Sequence, residues 1–158
     1  MSKLEQLKKK WSNEGITKNS AINRNAIEIF ERDNSIILPN DLKEYFKLLN
    51  GTFNQSTDEL YEFYSIENVR KVSDEFSDWQ GIPNYRLLLN LEKIKDLFVF
   101  ANYSFNLFSY AIRLSSEQLD ENEIYVLCGG NYKKIANNFF DFLDLYIDNS
   151  IELQLNEV

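Results

Sequence analysis

Apolar residues recur every three or four positions in the first fifty residues, a spacing typical of helices. Three helices are predicted there, over residues 3–14, 20–33 and 40–50. Polar side chains fill the other positions, so each helix would bury one face and expose the other. The inward residues would be Leu4, Leu7 and Trp11 in the first helix, Ile22, Ala26, Ile29 and Phe30 in the second, and Leu42, Tyr45, Phe46 and Leu49 in the third.

Two residues that rarely occur inside helices bound the third one. Pro39 lacks a backbone N–H and fits the start of a helix, where that group would be unpaired. Asn40 and Asp41 follow it, and hydrogen-bond acceptors and negative charge are favoured in a first turn. Gly51 is expected to end the helix, because a residue without a Cβ readily adopts the left-handed conformation.

Beyond residue 51 the apolar positions follow the alternation typical of strands. Gly129 and Gly130 separate two such runs and predict a tight hairpin turn. Cys128, the single cysteine, ends one of the runs and is expected to be a small core residue. The predicted strands cover residues 60–66, 97–101, 107–114, 124–128 and 132–135.

Two more helices are predicted in this second part, over residues 67–79 and 137–148. The tail, residues 151–158, would add a short strand or fray. Helical spacing places Val69, Val72, Phe76 and Trp79 inward in the first of these helices, and Phe139, Phe142, Leu143, Tyr146 and Ile147 inward in the second.

The order of these elements predicts an α+β fold. Strands that follow one another through short links form antiparallel pairs, whereas parallel pairs need long crossovers. We therefore expect an antiparallel sheet of about four to six strands, packed with N-terminal helices and a C-terminal helix. The 158 residues suit one domain, residues 1–158.

Charge is unevenly distributed along the chain and limits the partners. Residues 1–50 hold 9 basic and 7 acidic side chains, a net charge of +2, whereas residues 51–158 hold 8 and 18, a net charge of −10. The total of −8 disfavours direct binding to nucleic acid or to anionic membranes, and favours a basic protein partner. The chain start lacks the apolar core of a signal peptide, and no apolar run approaches about 18 residues, so a cytoplasmic protein is expected.

The residue types needed for most catalytic and metal sites are missing. The chain has no histidine and one cysteine, which excludes Ser-His-Asp and Cys-His sites and a cysteine–histidine zinc site. We expect no catalytic residues, no metal and no cofactor. Carboxylates alone could still perform acid–base chemistry, and the candidates are Asp58 with Glu59 and Asp74 with Glu75.

Acidic residues interleaved with aromatic ones form the candidate binding surface. Complementary charge would orient a basic partner, and aromatic side chains would supply buried anchors. The predicted partner-binding residues are Asp58, Glu59, Tyr61, Glu62, Tyr64, Glu67, Asp74, Glu75, Asp78 and Trp79, together with Glu117, Asp120, Glu121 and Glu123.

Several motifs in a fixed order resemble the SMI1/KNR4 (SUKH) superfamily. The run LPNDLKEYF at residues 38–46, closed by LLNG at residues 48–51, is similar to the family's helix and its Asn-Gly stop. FVFA at residues 98–101 and YAI at residues 110–112 resemble its paired strands, although Arg113 stands where an acidic residue is common. IANNFFDFL at residues 135–143 resembles its closing helix, and the likeness extends over residues 16–148.

The resemblance implies a protein that acts by binding. Many bacterial members look like immunity proteins that neutralise a cognate toxin domain, often a nuclease. We therefore expect a toxin domain as the partner, bound through the acidic and aromatic surface. Two alternatives are a regulatory scaffold that binds a different protein, and an enzyme that uses carboxylates alone.

Overall fold

The helical spacing of the first fifty residues produces three α-helices in the computed structural model, which describes residues 1–16 and 22–155. They are α1 (Lys3–Asn13), α2 (Ala26–Asn34) and α3 (Asn40–Leu48). The inward residues predicted for α1 and α3 are all buried. The predicted start of the second helix was wrong, because residues 22–25 precede α2, while residues 20 and 21 lie outside the described residues. Ile29 was predicted inward, but it is 39% exposed.

The second part of the chain forms an antiparallel sheet, as predicted. The strand order is β1-β3-β4-β5-β6, and β2 pairs with β3 beside β1, along the same edge. The hairpin turn at Gly129 and Gly130 is confirmed, and the last helix, α5, forms over Phe139–Ile147. The strands are β1 (Tyr61–Phe63), β2 (Arg70–Lys71), β3 (Leu97–Tyr103), β4 (Phe108–Arg113), β5 (Ile124–Cys128) and β6 (Asn131–Ala136).

The central strands are buried on both faces, so they carry nearly continuous apolar runs. Phe98 and Phe100 of β3 belong to the core formed with α1, α2, α3 and α5. Leu97 and Val99 face the opposite way and belong to a second core. That second core is completed by Val72, Phe76, Tyr85, Leu88, Ile94, Ala111, Tyr125 and Leu127.

The helix predicted over residues 67–79 was wrong. Residues 70–71 pair with β3 as β2, and this pairing uses backbone groups that a helix would need. A single helical turn, α4 (Val72–Glu75), follows. The chain between α4 and β3 covers the second face of the sheet through short 3-10 turns over Tyr85–Leu88 and Glu92–Ile94. Tertiary pairing has therefore overridden a helical spacing that looked convincing in the sequence.

Two further elements are shorter than predicted. The strand predicted over residues 60–66 is shortened to β1 (Tyr61–Phe63), and a 3-10 turn over Ile66–Asn68 follows it. The tail forms a 3-10 turn over Ile151–Leu153, while residues 156–158 lie outside the described residues. Within the described ranges, every helix is too short or too polar to cross a lipid bilayer.

Asp41 links the start of α3 to the start of α5. Its carboxylate accepts hydrogen bonds from the backbone N–H of Leu42, at 2.7 Å, and of Phe140, at 3.1 Å. Burial raises the pKa of this carboxyl, and the backbone donors oppose that shift only in part. The first N–H groups of a helix have no carbonyl partner within that helix. The Asp41 carboxylate therefore supplies the missing acceptor at the starts of both α3 and α5.

Asn50 and Gly51 fix α3 against the chain that leaves β1. Asn50 accepts a hydrogen bond from the backbone N–H of Ile66 through Oδ1, at 2.8 Å. Gly51 has a φ of +82°, and a Cβ there would lie 2.6 Å from the carbonyl oxygen of Phe63. Glycine is thus needed both for the backbone conformation and for the close approach of the two chain segments.

We expect Gly51→Ala to lower the free energy of unfolding by at least about 2 kcal/mol, since it combines backbone strain with a clash against backbone atoms. Gly15→Ala is the matched control, because Gly15 has a φ of +81° and no atom of the described residues lies within 4 Å of an added Cβ. Gly15→Ala should lower the free energy of unfolding by only about 1 kcal/mol, because it adds backbone strain without a clash. Urea denaturation of both variants measures the difference, and equal losses would contradict the steric argument.

Asp41→Ala should lower the free energy of unfolding by about 2 kcal/mol, because two backbone N–H groups lose a charged acceptor. Asp41→Asn should recover part of this loss, since the amide oxygen can still accept one hydrogen bond. Thermal and urea unfolding measure both variants. A loss below about 0.5 kcal/mol for the alanine variant would show that the link between the helices contributes little.

Candidate interaction surface

Acidic residues of β1 and of the chain that follows it line a groove along the outer edge of the sheet. This acidic groove has a volume of about 360 Å³. Glu62 projects from β1, Glu67 from the 3-10 turn after it, and Glu75 from α4. The lining residues are Asn54, Glu62, Tyr64, Glu67, Asn68, Arg70 and Glu75.

The acidic groove carries uncompensated negative charge. Arg70 Nε lies 2.8 Å from Glu75 Oε2, which accounts for one of the three carboxylates. Glu62 and Glu67 have no ion pair within the described part of the chain. Tyr64 is half-buried, its Oη accepts a hydrogen bond from Asn102 at 3.0 Å, and burial raises the pKa of its hydroxyl. The groove thus combines a net charge of −2 with one fixed aromatic wall.

Two of the three predicted aromatic anchors lie outside the acidic groove, and one of them is buried. Tyr61 is only 4% exposed and packs against Tyr146, with ring centroids 5.0 Å apart. Trp79 is half-buried, and its indole Nε1 donates a hydrogen bond to the carbonyl of Pro83 at 2.7 Å. Tyr61 is therefore a core residue, Trp79 is held by its hydrogen bond beside the second face of the sheet, and Tyr64 is the aromatic side chain that lines the acidic groove.

The other acids of this first group lie around the acidic groove rather than in it. Asp58 and Glu59 border a separate hollow, where Glu59 lies 2.8 Å from Lys10. Asp74 and Asp78 are exposed on the chain that follows β2. In each carboxylate pair considered for catalysis, one member forms an ion pair with a basic side chain: Glu59 with Lys10, and Glu75 with Arg70.

The second acidic group lies elsewhere, in the loop between β4 and β5. Its members Glu117, Asp120, Glu121 and Glu123 belong to residues 114–123. Lys134 of β6 pairs with Glu121 at 3.1 Å and with Glu123 at 3.6 Å. The loop joins β4 and β5, which lie two and three strand spacings of about 4.8 Å from β1, and none of its acids lines the acidic groove.

Arg113, which departs from the family pattern, holds this loop to the sheet. Its Nε lies 3.0 Å from Glu123 Oε1, and its Nη2 donates to the carbonyl of Lys93 at 3.0 Å. Burial alone would raise the pKa of Glu123, but Arg113, Tyr125 and Lys134 together hold that pKa below its ordinary value. The acids of this loop are therefore partly neutralised by structural partners.

A second groove, which the sequence did not predict, lies between α2 and the turn after β1. This apolar groove also has a volume of about 360 Å³. Phe30 is the single buried residue of α2. Ile29, which the sequence placed on the same inward face, is exposed instead and forms a wall of this groove. The lining residues are Asn23, Ala26, Ile29, Phe30, Asp33, Asn34, Ile66, Glu67 and Val69.

Three exposed apolar side chains lie beyond the second face of the sheet. Ile82 is 98% exposed, Leu87 64% and Phe105 85%. The Tyr85 hydroxyl donates to the carbonyl of Asn106 at 2.7 Å, which holds this segment to the turn between β3 and β4. We call Ile82, Leu87 and Phe105 the outer apolar group.

The pKa of Glu123 gives a pH-dependent prediction. Its carboxylate contributes stability above the ordinary pKa of 4.5, and this contribution is lost as pH falls through the lower folded-state pKa. The difference in unfolding free energy between wild type and Glu123→Gln should be constant from pH 7 to about 5 and shrink below that. Its size should stay under about 1 kcal/mol. A difference that grows on acidification would contradict the ion pair's role.

Comparison with known proteins agrees with the fold. The family model for the SMI1/KNR4 family (SUKH-1) matches residues 21–145, which include α2, α3 and the whole sheet. No curated protein matches the chain. Proteins of the SUKH family are commonly immunity proteins, which are generally non-catalytic and bind another protein. The match covers most of the chain, so this protein belongs to the SMI1/KNR4 family of SUKH domains.

Proposed function

We propose that this protein is an immunity protein that binds and neutralises a cognate toxin domain with a basic active-site cleft, as in a nuclease. The observation that carries the proposal is the acidic groove, in which Glu62 and Glu67 have no ion pair within the described residues. Family membership supports the class of partner. The chain would act as one binding domain.

The physical basis of the proposal is charge complementarity with an enzyme that grips phosphate. A nuclease presents lysine and arginine side chains around its substrate, and these attract a surface of opposite charge. Long-range attraction speeds the encounter, while unpaired carboxylates at short range fix the orientation. Glu62 and Glu67 can supply such contacts without first breaking an ion pair of their own.

The position of the groove on the fold also supports the proposal. Glu62 lies in a strand paired with β3, and Tyr64 donates its backbone N–H to the carbonyl of Phe100 at 2.8 Å. The groove is thus built on the sheet, and a preformed surface loses little entropy when it binds.

The double variant Glu62→Lys/Glu67→Lys should weaken binding to a cognate basic toxin domain by at least about tenfold. The matched control is Glu117→Lys/Asp120→Lys, which makes the same change in charge on the β4–β5 loop. It should slow association slightly and leave the dissociation rate nearly unchanged. Surface plasmon resonance at two salt concentrations measures both rates.

Inhibition of the toxin's activity provides the second readout. Wild-type protein should abolish nucleic-acid cleavage at a one-to-one ratio, while the groove variant should need an excess. The proposal would be wrong if a panel of basic toxin domains showed no binding at low salt. A loop variant that impaired inhibition more than the groove variant would move the binding site to the β4–β5 loop.

A further inference from the structure

The acidic groove and the apolar groove share a border. Glu67 lines both, on the 3-10 turn that separates them. Ile66 and Val69, on either side of Glu67, are buried and contribute to the apolar groove. A partner that contacts one groove at this point therefore meets the other.

The apolar groove has the composition of a pocket for a large side chain. Phe30, Ile66 and Val69 are each less than 10% exposed and form its buried part. Ile29 remains 39% exposed on the wall. Covering these surfaces would remove apolar area from water, which favours an aliphatic or aromatic occupant. The volume of the apolar groove lies at the lower end of the range for ligand-binding pockets, about 300–1,000 Å³.

The charges around the apolar groove select the residues that flank this occupant. Glu67 lies on the border with no ion pair in the described part of the chain, and Glu62 lies beyond it in the acidic groove. Asp33, on the far rim, lies 3.4 Å from its exposed neighbour Arg32. An acidic segment would be repelled, and a wholly apolar one would leave both glutamates facing it without partners.

We infer that the two grooves form one docking site for a partner segment with an apolar residue next to a basic one. A leucine, isoleucine or phenylalanine of the partner fills the apolar groove. A lysine or arginine a few residues away lies in the acidic groove, against Glu62 and Glu67. This inference rests on the proposed function for the identity of the partner, and it specifies which part of the partner is held.

A peptide library tests the inference without the toxin. Twelve-residue peptides displayed on phage are selected on wild-type protein. The selected sequences should carry Leu, Ile or Phe within about four positions of Lys or Arg. A synthetic peptide of that sequence should bind Ile29→Asp and Glu67→Lys at least tenfold more weakly than wild type.

Three variants control the experiment. Ile29→Leu preserves the apolar wall and should bind the peptide within twofold of wild type. Ile82→Asp makes the same change as Ile29→Asp in the outer apolar group, and should have no effect. Ile29→Ser removes the apolar wall without adding charge, and so separates lost apolar contact from added negative charge, while circular dichroism shows that each variant is folded. Raising the salt should reduce the effect of Glu67→Lys and leave that of Ile29→Ser unchanged.

The results separate this inference from the proposed function. It is overturned if no peptide is selected, if the selected peptides lack the paired residues, or if binding survives both Ile29→Asp and Glu67→Lys. If the toxin domain binds wild type and Ile29→Asp equally, the docking site is wrong and the immunity function stands. If the peptide results hold and the toxin domain does not bind, the docking site stands and the toxin assignment is wrong.

Discussion

The close packing of Gly51 against the end of β1 is the constraint on which the interaction surface depends. No side chain larger than hydrogen fits there, because the carbonyl of Phe63 occupies the space of a Cβ. Asn50 then accepts the N–H of Ile66, which holds the turn after β1. Since Glu62, Tyr64 and Glu67 project from this stretch, the Asn-Gly pair sets the positions of both grooves.

The same loop protects the outer edge of the sheet. Thr52 donates its backbone N–H to the carbonyl of Phe63 at 2.9 Å, and its Oγ1 accepts the N–H of Phe63 at 3.1 Å. Both backbone groups of Phe63 are thus paired with Thr52, so β1 does not offer them to another strand. Recognition at this edge therefore depends on side chains and charge, which is consistent with an acidic surface that selects a basic partner.

Local patterns predicted the elements whose stability depends on their own residues. α3 lies between Pro39 and Gly51, and α5 carries a helical apolar stripe, so both could be identified from the sequence. The segment over residues 67–79 has equally regular spacing, but β2 pairs with β3 in its first half, and only Val72–Glu75 forms a helical turn. Such pairing depends on residues about thirty positions away along the chain. The spacing of apolar residues within the segment therefore cannot predict it.

The interaction surface was predictable in composition and not in arrangement. Glu62, Glu67 and Glu75 were identified from their charge, and the fold brings them to one groove. Tyr61 has the same residue type and neighbourhood as Tyr64, yet the alternation of β1 turns it into the core. The apolar groove was missed because Ile29 fits a helical stripe, and its exposure follows from where α2 begins and how it packs.

The central claim is that the partner binds the edge of the sheet formed by β1 and β2. Hydrogen–deuterium exchange of this protein, alone and with a cognate basic toxin domain, tests that claim most directly. We expect slower exchange across residues 60–76 on binding, and unchanged exchange across residues 114–123. Protection confined to the β4–β5 loop or to β6 would contradict the claim.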